Sequence, residues 1–195
     1  VGGTINILEA CKQLSFDGKI FFAGSSEIFG NTDEPADIDH KQNPLNPYSI
    51  GKQCSFNLVQ MYREIHSINC STGILFNHES QLRGDDFVTH RIISGAIKCS
   101  RDESQKIELG NLDIGRDWGW APEYVEAMQK IANAKETKDY VICTGTLHKL
   151  KTFIEITFSK LDLNWEQHIN SNKKLFRKTD IKQNFGDPTR IKKDL

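Results

Sequence analysis

The apolar positions of this chain change period several times, and each change marks an element. Ile5, Leu8 and Cys11, with Ala10 and Leu14 close by, follow the three- and four-residue spacing of an amphipathic helix over 4–14. Asp17-Gly18 is a turn signal. Ile20-Phe21-Phe22-Ala23 is a short continuous apolar run, the mark of a strand covered on both faces of a parallel sheet. Residues 31–46, rich in Asp, Pro and Asn without periodicity, read as a surface loop. A helix follows from 47 to about 66, with Asn46 as its N-cap and Pro47 at the first helical position. Its apolar stripe, Ile50, Cys54, Leu58, Met61, Tyr62 and Ile65, is expected to be buried. Gly51 within that helix costs about 1 kcal/mol relative to alanine, which hints at a close approach by another group.

Downstream, 72–76 is a second apolar strand and ends in the polar Asn77-His78-Glu79-Ser80. A helix over about 86–100 uses Val88, Ile92, Ile93, Ala96 and Ile97. A short strand at 107–109, a turn at Gly110-Asn111 and the polar-aromatic run 115–120 come next. Pro122 opens a helix with Tyr124, Val125, Met128, Ile131 and Ala132 inward, and 140–143 reads as a third strand. A last long helix over 152–161 presents Phe153, Ile156, Thr157, Phe158 and Leu161. The remainder is polar and irregular apart from Phe176 and Phe185, with a helix beginning after Asp187-Pro188. Strands alternating with helices predict right-handed βαβ units around a parallel sheet, an α/β fold.

Composition narrows the partners. The 195 residues suit one sizeable core with a small second lobe. With 25 basic and 26 acidic residues the net charge is −1, so no basic excess points to nucleic acid and no charged tail to a membrane surface. Neither a spanning apolar run nor a signal-peptide pattern occurs, and a cytoplasmic location is expected. Cys11, Cys54, Cys70, Cys99 and Cys143 are odd in number and widely spaced, which reads as buried structural thiols rather than a redox pair or a metal site. His66, His90 and His148 show no partner pattern. The opening Val1-Gly2-Gly3-Thr4 enters a helical pattern at once, so both ends read as cuts through structure and the chain as a fragment.

The candidate chemistry gathers in two places. Ser25-Ser26-Glu27 stands at the end of the first strand, where open α/β sheets place ligand chemistry. Tyr48 and Lys52 stand four apart, on one face of the predicted helix. A neighbouring cation favours the phenolate of a tyrosine and moves it toward the working range of a general base. Trp118 and Trp120 read as packing residues, and Arg116-Asp117 equally well as a surface ion pair or as ligand contacts. No glycine-rich phosphate loop follows any predicted strand.

Taken together, these segments resemble the extended short-chain dehydrogenase/reductase family, and within it the GDP-mannose 4,6-dehydratases. The resemblance lies in Ser25-Ser26-Glu27 with Tyr48-x-x-x-Lys52, in 73–80, in Leu109-Gly-Asn-Leu-Asp113, in Arg116-Asp-Trp-Gly119 and in Tyr124-Val-Glu-Ala-Met128. It implies a Rossmann-like parallel sheet lacking its N-terminal strands, with a smaller C-terminal nucleotide-sugar domain. Residues 1–80 would belong to the cofactor domain and 81–195 mostly to the substrate domain, with 116–145 contributing back to the sheet. It also implies NADP, with NAD as the alternative, GDP-mannose as substrate, and a homodimer or homotetramer formed through the helix of Tyr48. By matching positions, Tyr48 with Lys52 takes the C4 hydroxyl proton while hydride passes to the cofactor. Glu27 removes the C5 proton and, with Ser25, assists loss of water from C6, to which hydride returns. Tyr48, Lys52, His78 and Arg83 would contact the cofactor, and Ser25, Glu27, Asn77, Arg116 and Arg177 the substrate. The alternatives are a sibling nucleotide-sugar dehydratase or epimerase, or a truncated non-catalytic relative. Gly24 stands where the family usually has serine, Ser25 where it has threonine, and Gln81-Leu82 where it has Pro-Arg.

Overall fold

The computed structural model describes residues 1–176 and 179–195. Among these described residues are six helices: α1 (Gly2–Gln13), α2 (Pro47–His66), α3 (Val88–Arg101), α4 (Ala121–Asn133), α5 (Leu150–Ser159) and α6 (Thr189–Asp194). The larger strands are β1 (Ile20–Ala23) and β2 (Cys70–Leu75). The shorter ones are β3 (Asn77–Glu79), β4 (Ile107–Leu109), β5 (Gly115–Arg116), β6 (Trp118–Trp120), β7 (Tyr140–Ile142), β8 (His148–Lys149), β9 (Ile169–Ser171) and β10 (Gln183–Asn184).

β1, β2 and β7 form an all-parallel sheet in that order. Ala23 stands opposite Gly73 and Leu75 opposite Ile142. Successive side chains of a strand point to opposite faces, and the packing follows. Ile20 and Phe22 join the cluster of Leu8, Val59, Tyr62, Ile68 and Cys70 under α1 and α2. Phe21 and Leu75 join Tyr124, Ile131, Tyr140 and Ile142 under α4. The sheet is therefore covered on both faces by helices, as its continuous apolar runs predict. The parallel sheet between helix layers is the expected α/β fold. A separate core of Ile92, Ala96, Cys99, Leu109, Leu150, Ile154, Phe158 and Ile169 joins α3, α5, β4 and β9.

Three polar knots hold these layers together. Asp139, at the start of β7, is matched in two-point fashion by Arg63 of α2, with Nη1 2.8 Å from Oδ1 and Nη2 2.5 Å from Oδ2. The same carboxylate accepts the Thr72 N–H at 2.7 Å and Gln60 Nε2 at 3.3 Å. Asp117, fully buried, accepts from Thr144 N at 2.9 Å, Thr144 Oγ1 at 2.7 Å and Gly145 N at 2.9 Å. Asp117 is thus no surface ion-pair partner, a correction to one reading of Arg116-Asp117. The Tyr62 hydroxyl donates to Glu9 and ties α2 to α1; that bond holds the Glu9 carboxyl below its ordinary range.

Several expectations need correction. Along α2, Tyr62 is buried and Leu58 packs half-buried against the core as expected, whereas Ile50, Cys54, Met61 and Ile65 are exposed and Ser49, Ser55, Phe56 and Val59 are buried in their place. Four of the six predicted positions thus lie on the outer side of the helix, so periodicity found an apolar face but only part of what covers it. Gly51 meets nothing tighter than Val1 Cγ2 at 3.9 Å, an ordinary contact. In α3, Ile93 and Ile97 are exposed while Thr89, Gly95 and Cys99 turn inward; Val125 of α4 and Ile156 and Leu161 near α5 also face out. α5 begins at Leu150 rather than 152. The loop 31–46 is not wholly superficial, since Thr32 and Ala36 are fully buried and Ala36 bridges Gly186. The C-terminal stretch is more regular than expected, because β9 pairs with β4 and β10 with β5, both in parallel.

The cysteines divide. Cys70 and Cys99 are buried, Cys11 and Cys143 half-buried and Cys54 exposed, so burial fails for Cys54. Burial pushes the Cys70 thiol up to about 12 and pushes Cys143 up as well. Because the thiolate is the reactive form, Cys70 and Cys143 are expected to resist an alkylating reagent until denaturant is added, as peptide mass spectrometry would record.

Candidate active site

β1 ends at Ala23, and the chain then passes through Gly24 and Ser25 into a single 3-10 turn, Ser26–Phe29. Gly24 passes close to the next strand: a Cβ there would lie 3.0 Å from Thr72 Cγ2 and 3.1 Å from the Gly73 carbonyl oxygen, a tight fit. Ser25 is the extended N-cap of the turn, and its Oγ accepts the Glu27 N–H at 3.4 Å. Ile28 and Phe29 anchor the turn in the core, leaving Glu27 half-buried. Gly30 closes the turn at φ +68°, a conformation that glycine adopts without strain.

α2 starts beside this turn. Asn46 is its N-cap, and Asn46 and Ser49 bond reciprocally to each other's backbone N–H. Pro47 fills the first helical position, as the sequence predicts. Tyr48 follows in the first turn with 56% exposure, its ring open to solvent. Lys52 lies one turn on; its ammonium sits 5.7 Å from the centre of the Tyr48 ring and donates to the Ala23 carbonyl at 2.8 Å. Burial lowers the Lys52 ammonium from its ordinary value. Asn46 Nδ2 donates to Glu27 Oε2 at 2.8 Å. Two hydrogen bonds, Lys52 to Ala23 and Asn46 to Glu27, therefore join the start of α2 to the end of β1. They bring Ser25, Glu27, Tyr48 and Lys52 into one group.

The remaining predicted positions are distributed around that group. β2 runs beside β1 and leads into β3, which carries Asn77 and His78 and pairs with β6. His78 stacks on Tyr124 at 4.8 Å between ring centres, and its Nδ1 lies 2.9 Å from the Phe76 carbonyl. A carbonyl only accepts, so Nδ1 carries the proton. Arg83 is held by Glu79, Nε to Oε2 3.1 Å, and its guanidinium lies 3.4 Å over the Phe87 ring. Glu79 is braced in turn by Thr89 Oγ1 at 2.8 Å. Arg116 is half-buried in β5, a strand of a different sheet, with Nη1 donating to the Gly115 carbonyl at 2.7 Å. Arg177 lies outside the described residues. Trp118 packs on Phe153 at 5.9 Å, whereas Trp120 is 46% exposed. His90 has Ser94 Oγ at 3.1 Å and Asp85 at 3.4 Å, and His66 lies 5.1 Å from the Tyr62 ring; neither approach was foreseen. Among the described residues no group of three or more His, Cys, Asp or Glu is placed to hold a metal ion.

The sequence reasoning missed Asn46 as a partner of Glu27. The signal was present, because an asparagine cap has an amide to spare that a serine cap lacks.

Comparison with known proteins bears on this arrangement. Among solved structures, the dTDP-glucose 4,6-dehydratase of Bacillus anthracis in complex with NAD superposes with a TM-score of 0.85 at 15% identity, over 98% of this chain and 60% of that one. RMD from Pseudomonas aeruginosa, complexed with NADPH, gives 0.84 at 22% identity, over 100% of this chain and 65% of that one. At such identities these likenesses speak for the fold. GDP-mannose 4,6 dehydratase 1 of Arabidopsis thaliana is 36% identical over 99% of this chain, which spans 55% of that protein's length. This chain, matched over almost all of its own length, thus spans about half the length of that relative. The family model described as GDP-mannose 4,6 dehydratase matches residues 1–195, and with that match over every position the chain belongs to the GDP-mannose 4,6-dehydratase family.

Proposed function

We propose that the protein of which these 195 residues are the whole or a part converts GDP-mannose to GDP-4-keto-6-deoxymannose. The observation that carries this reading is the pinning of α2 to the end of β1, which gathers a phenol, an ammonium, a carboxylate and a hydroxyl in a chain of this family. The residues also fit the ribose end of a nicotinamide cofactor. Lys52 has three ammonium donors and one is engaged by Ala23, which leaves two for ribose hydroxyls. No glycine-rich turn for a pyrophosphate occurs in the 195 residues. His78 and Arg83 are proposed as further cofactor contacts, and Asn77, Arg116 and Arg177 as substrate contacts. A nicotinamide cofactor is proposed, NADP with NAD as the alternative, in keeping with neighbours that hold NAD in one case and NADPH in the other.

A nicotinamide held at its ribose by Lys52 would supply the acceptor for hydride from C4 of the mannose and the donor of hydride to C6. Tyr48, with the Lys52 charge beside its ring, takes the proton of the C4 hydroxyl. Ser25 hydrogen-bonds the oxygen left at C4, which acidifies the C5 proton by polarising the new carbonyl. Glu27 removes that proton and then protonates the departing C6 hydroxyl, so that water leaves and a C5–C6 double bond forms; as hydride reaches C6, Tyr48 gives the proton it took from the C4 hydroxyl to C5. The lobe built on β1, β2 and β7 would carry the cofactor, and the lobe of α3 and α5 the nucleotide sugar. A cytoplasmic site of action is proposed from the unpaired cysteines. The test is mass spectrometry of GDP-mannose incubated with NADP and the full-length protein. Loss of one water is expected, and an unchanged sugar nucleotide would refute the reading.

The outward face of α2 supports a second proposal, a homodimer through this helix. Ile50 is 54% exposed and Ile65 67%, with Met61 between them. An apolar face of this kind on a stable helix is what a partner subunit covers. Met61→Glu with Ile65→Glu is expected to halve the sedimenting mass of the full-length protein while its melting temperature as a monomer stays high. An unchanged mass would exclude this helix as the interface.

A further inference from the structure

Asn46 uses one amide for two purposes. Its Oδ1 accepts the Ser49 N–H at 2.8 Å and caps α2; its Nδ2 donates to Glu27 Oε2 at 2.8 Å. The first bond dictates the second. A backbone N–H only donates, so the atom facing Ser49 must be the oxygen, and the NH2 group is forced toward Glu27. Ser49, fully buried, locks the arrangement by accepting from Asn46 N at 3.1 Å and donating to the Asn46 carbonyl at 2.9 Å. The cap therefore cannot rotate to release Glu27 without opening the first turn of α2.

We propose that Asn46 is a positioning residue that fixes the Glu27 carboxylate relative to Tyr48 and Lys52. This rests on the reading of Glu27 as the group that removes the C5 proton. A glutamate side chain has three torsions to order, whereas the reacting atoms must sit within about 3–3.5 Å of each other. The Asn46 bond restrains Oε2 and leaves Oε1 as the oxygen that meets the sugar. Because the same residue starts the helix of Tyr48, the base at C4 and the base at C5 are set by one side chain. Among the described residues no other hydrogen bond joins the Glu27 side chain to the cap of α2. Lys52 bonds to the β1 backbone rather than to the Glu27 side chain.

Asn46→Ser and Asn46→Asp both retain a good N-cap. The first removes the amide donor; the second sets another carboxylate against Glu27. In the full-length protein with NADP, kcat for loss of water from GDP-mannose is expected to fall about tenfold for Ser and about a hundredfold for Asp. KM should change by less than about twofold, and the isotope effect on kcat with C5-deuterated GDP-mannose should rise, because proton removal at C5 becomes slower. Wild-type kcat and isotope effect in both variants would overturn the proposal. So would a loss of activity that follows melting temperature with no change in the isotope effect, which would mark a helix cap and nothing more. If the wild-type protein releases no water from GDP-mannose, the functional reading fails. The tether is then decided by a thermal-unfolding cycle of Asn46→Ser and Glu27→Ala: non-additive shifts uphold it and additive shifts overturn it.

Discussion

Tyr48→Phe in the full-length protein is expected to lower the release of water from GDP-mannose about a thousandfold, the size of a lost general base. The substitution deletes one oxygen from a ring that is 56% exposed, so no core contact goes with it. Its effect on stability should stay within about 0.5 kcal/mol. Lys52 keeps its bond to Ala23 whether or not the phenol is present, so the group is not disassembled. Mass spectrometry of the sugar nucleotide reads the loss, and circular dichroism confirms the fold. Wild-type turnover by the phenylalanine variant would remove Tyr48 from the chemistry. Glu27→Gln is the companion measurement. Glutamine still offers an oxygen to Asn46, so it preserves the tether and removes only the capacity to exchange a proton.

Asp139→Ala is expected to have the largest effect on stability, a loss of about 3–5 kcal/mol in urea unfolding. Asp139 is 5% exposed, and its carboxylate serves Arg63, Gln60 and the Thr72 N–H at once. Its removal leaves a guanidinium facing the interior and a strand N–H without an acceptor. Arg63→Met should cost less, because Arg63 is 20% exposed and methionine can fill the space of its stem. Hydrogen bonding to Asp139 holds the Arg63 guanidinium above its ordinary value, so the pair stays charged on its basic side at every working pH. Equal stability of wild type and the alanine variant would show that the sheet edge relaxes to find other partners.

What could be read in the sequence was set by local physics. The continuous runs of β1 and β2 and the Asn46-Pro47 start of α2 depend on neighbours in the chain, and all three lie where the pattern puts them. The inward face of a helix depends on what stands next to it, which no period contains. α2 is the clearest case, since Ile50, Cys54, Met61 and Ile65 turn out, and Ser49 and Ser55 with Phe56 and Val59 turn in beside the correctly placed Tyr62. Asp117 was obscure for the same reason. Its partners lie 27 and 28 positions away, and an acidic residue beside an arginine reads as an ion pair until those backbone N–H groups are known. Of the site, the Tyr48 and Lys52 adjacency follows from helical spacing, whereas the Asn46 bond to Glu27 needs the turn and the cap to meet across 19 positions.

The turn that carries Glu27 is held from the far end of the chain. Asn184 Nδ2 donates to the Ser26 carbonyl at 3.2 Å and to the Gly30 carbonyl at 2.9 Å, across 158 and 154 positions. Synthesis delivers residue 26 long before residue 184, and pairings of such separation form late because the intervening loop must close first. The carboxylate-bearing turn waits for β10 before its two carbonyls find Asn184. A ribosome-bound chain stalled before residue 184 would therefore hold an unset turn, and competence would arrive in a single late step.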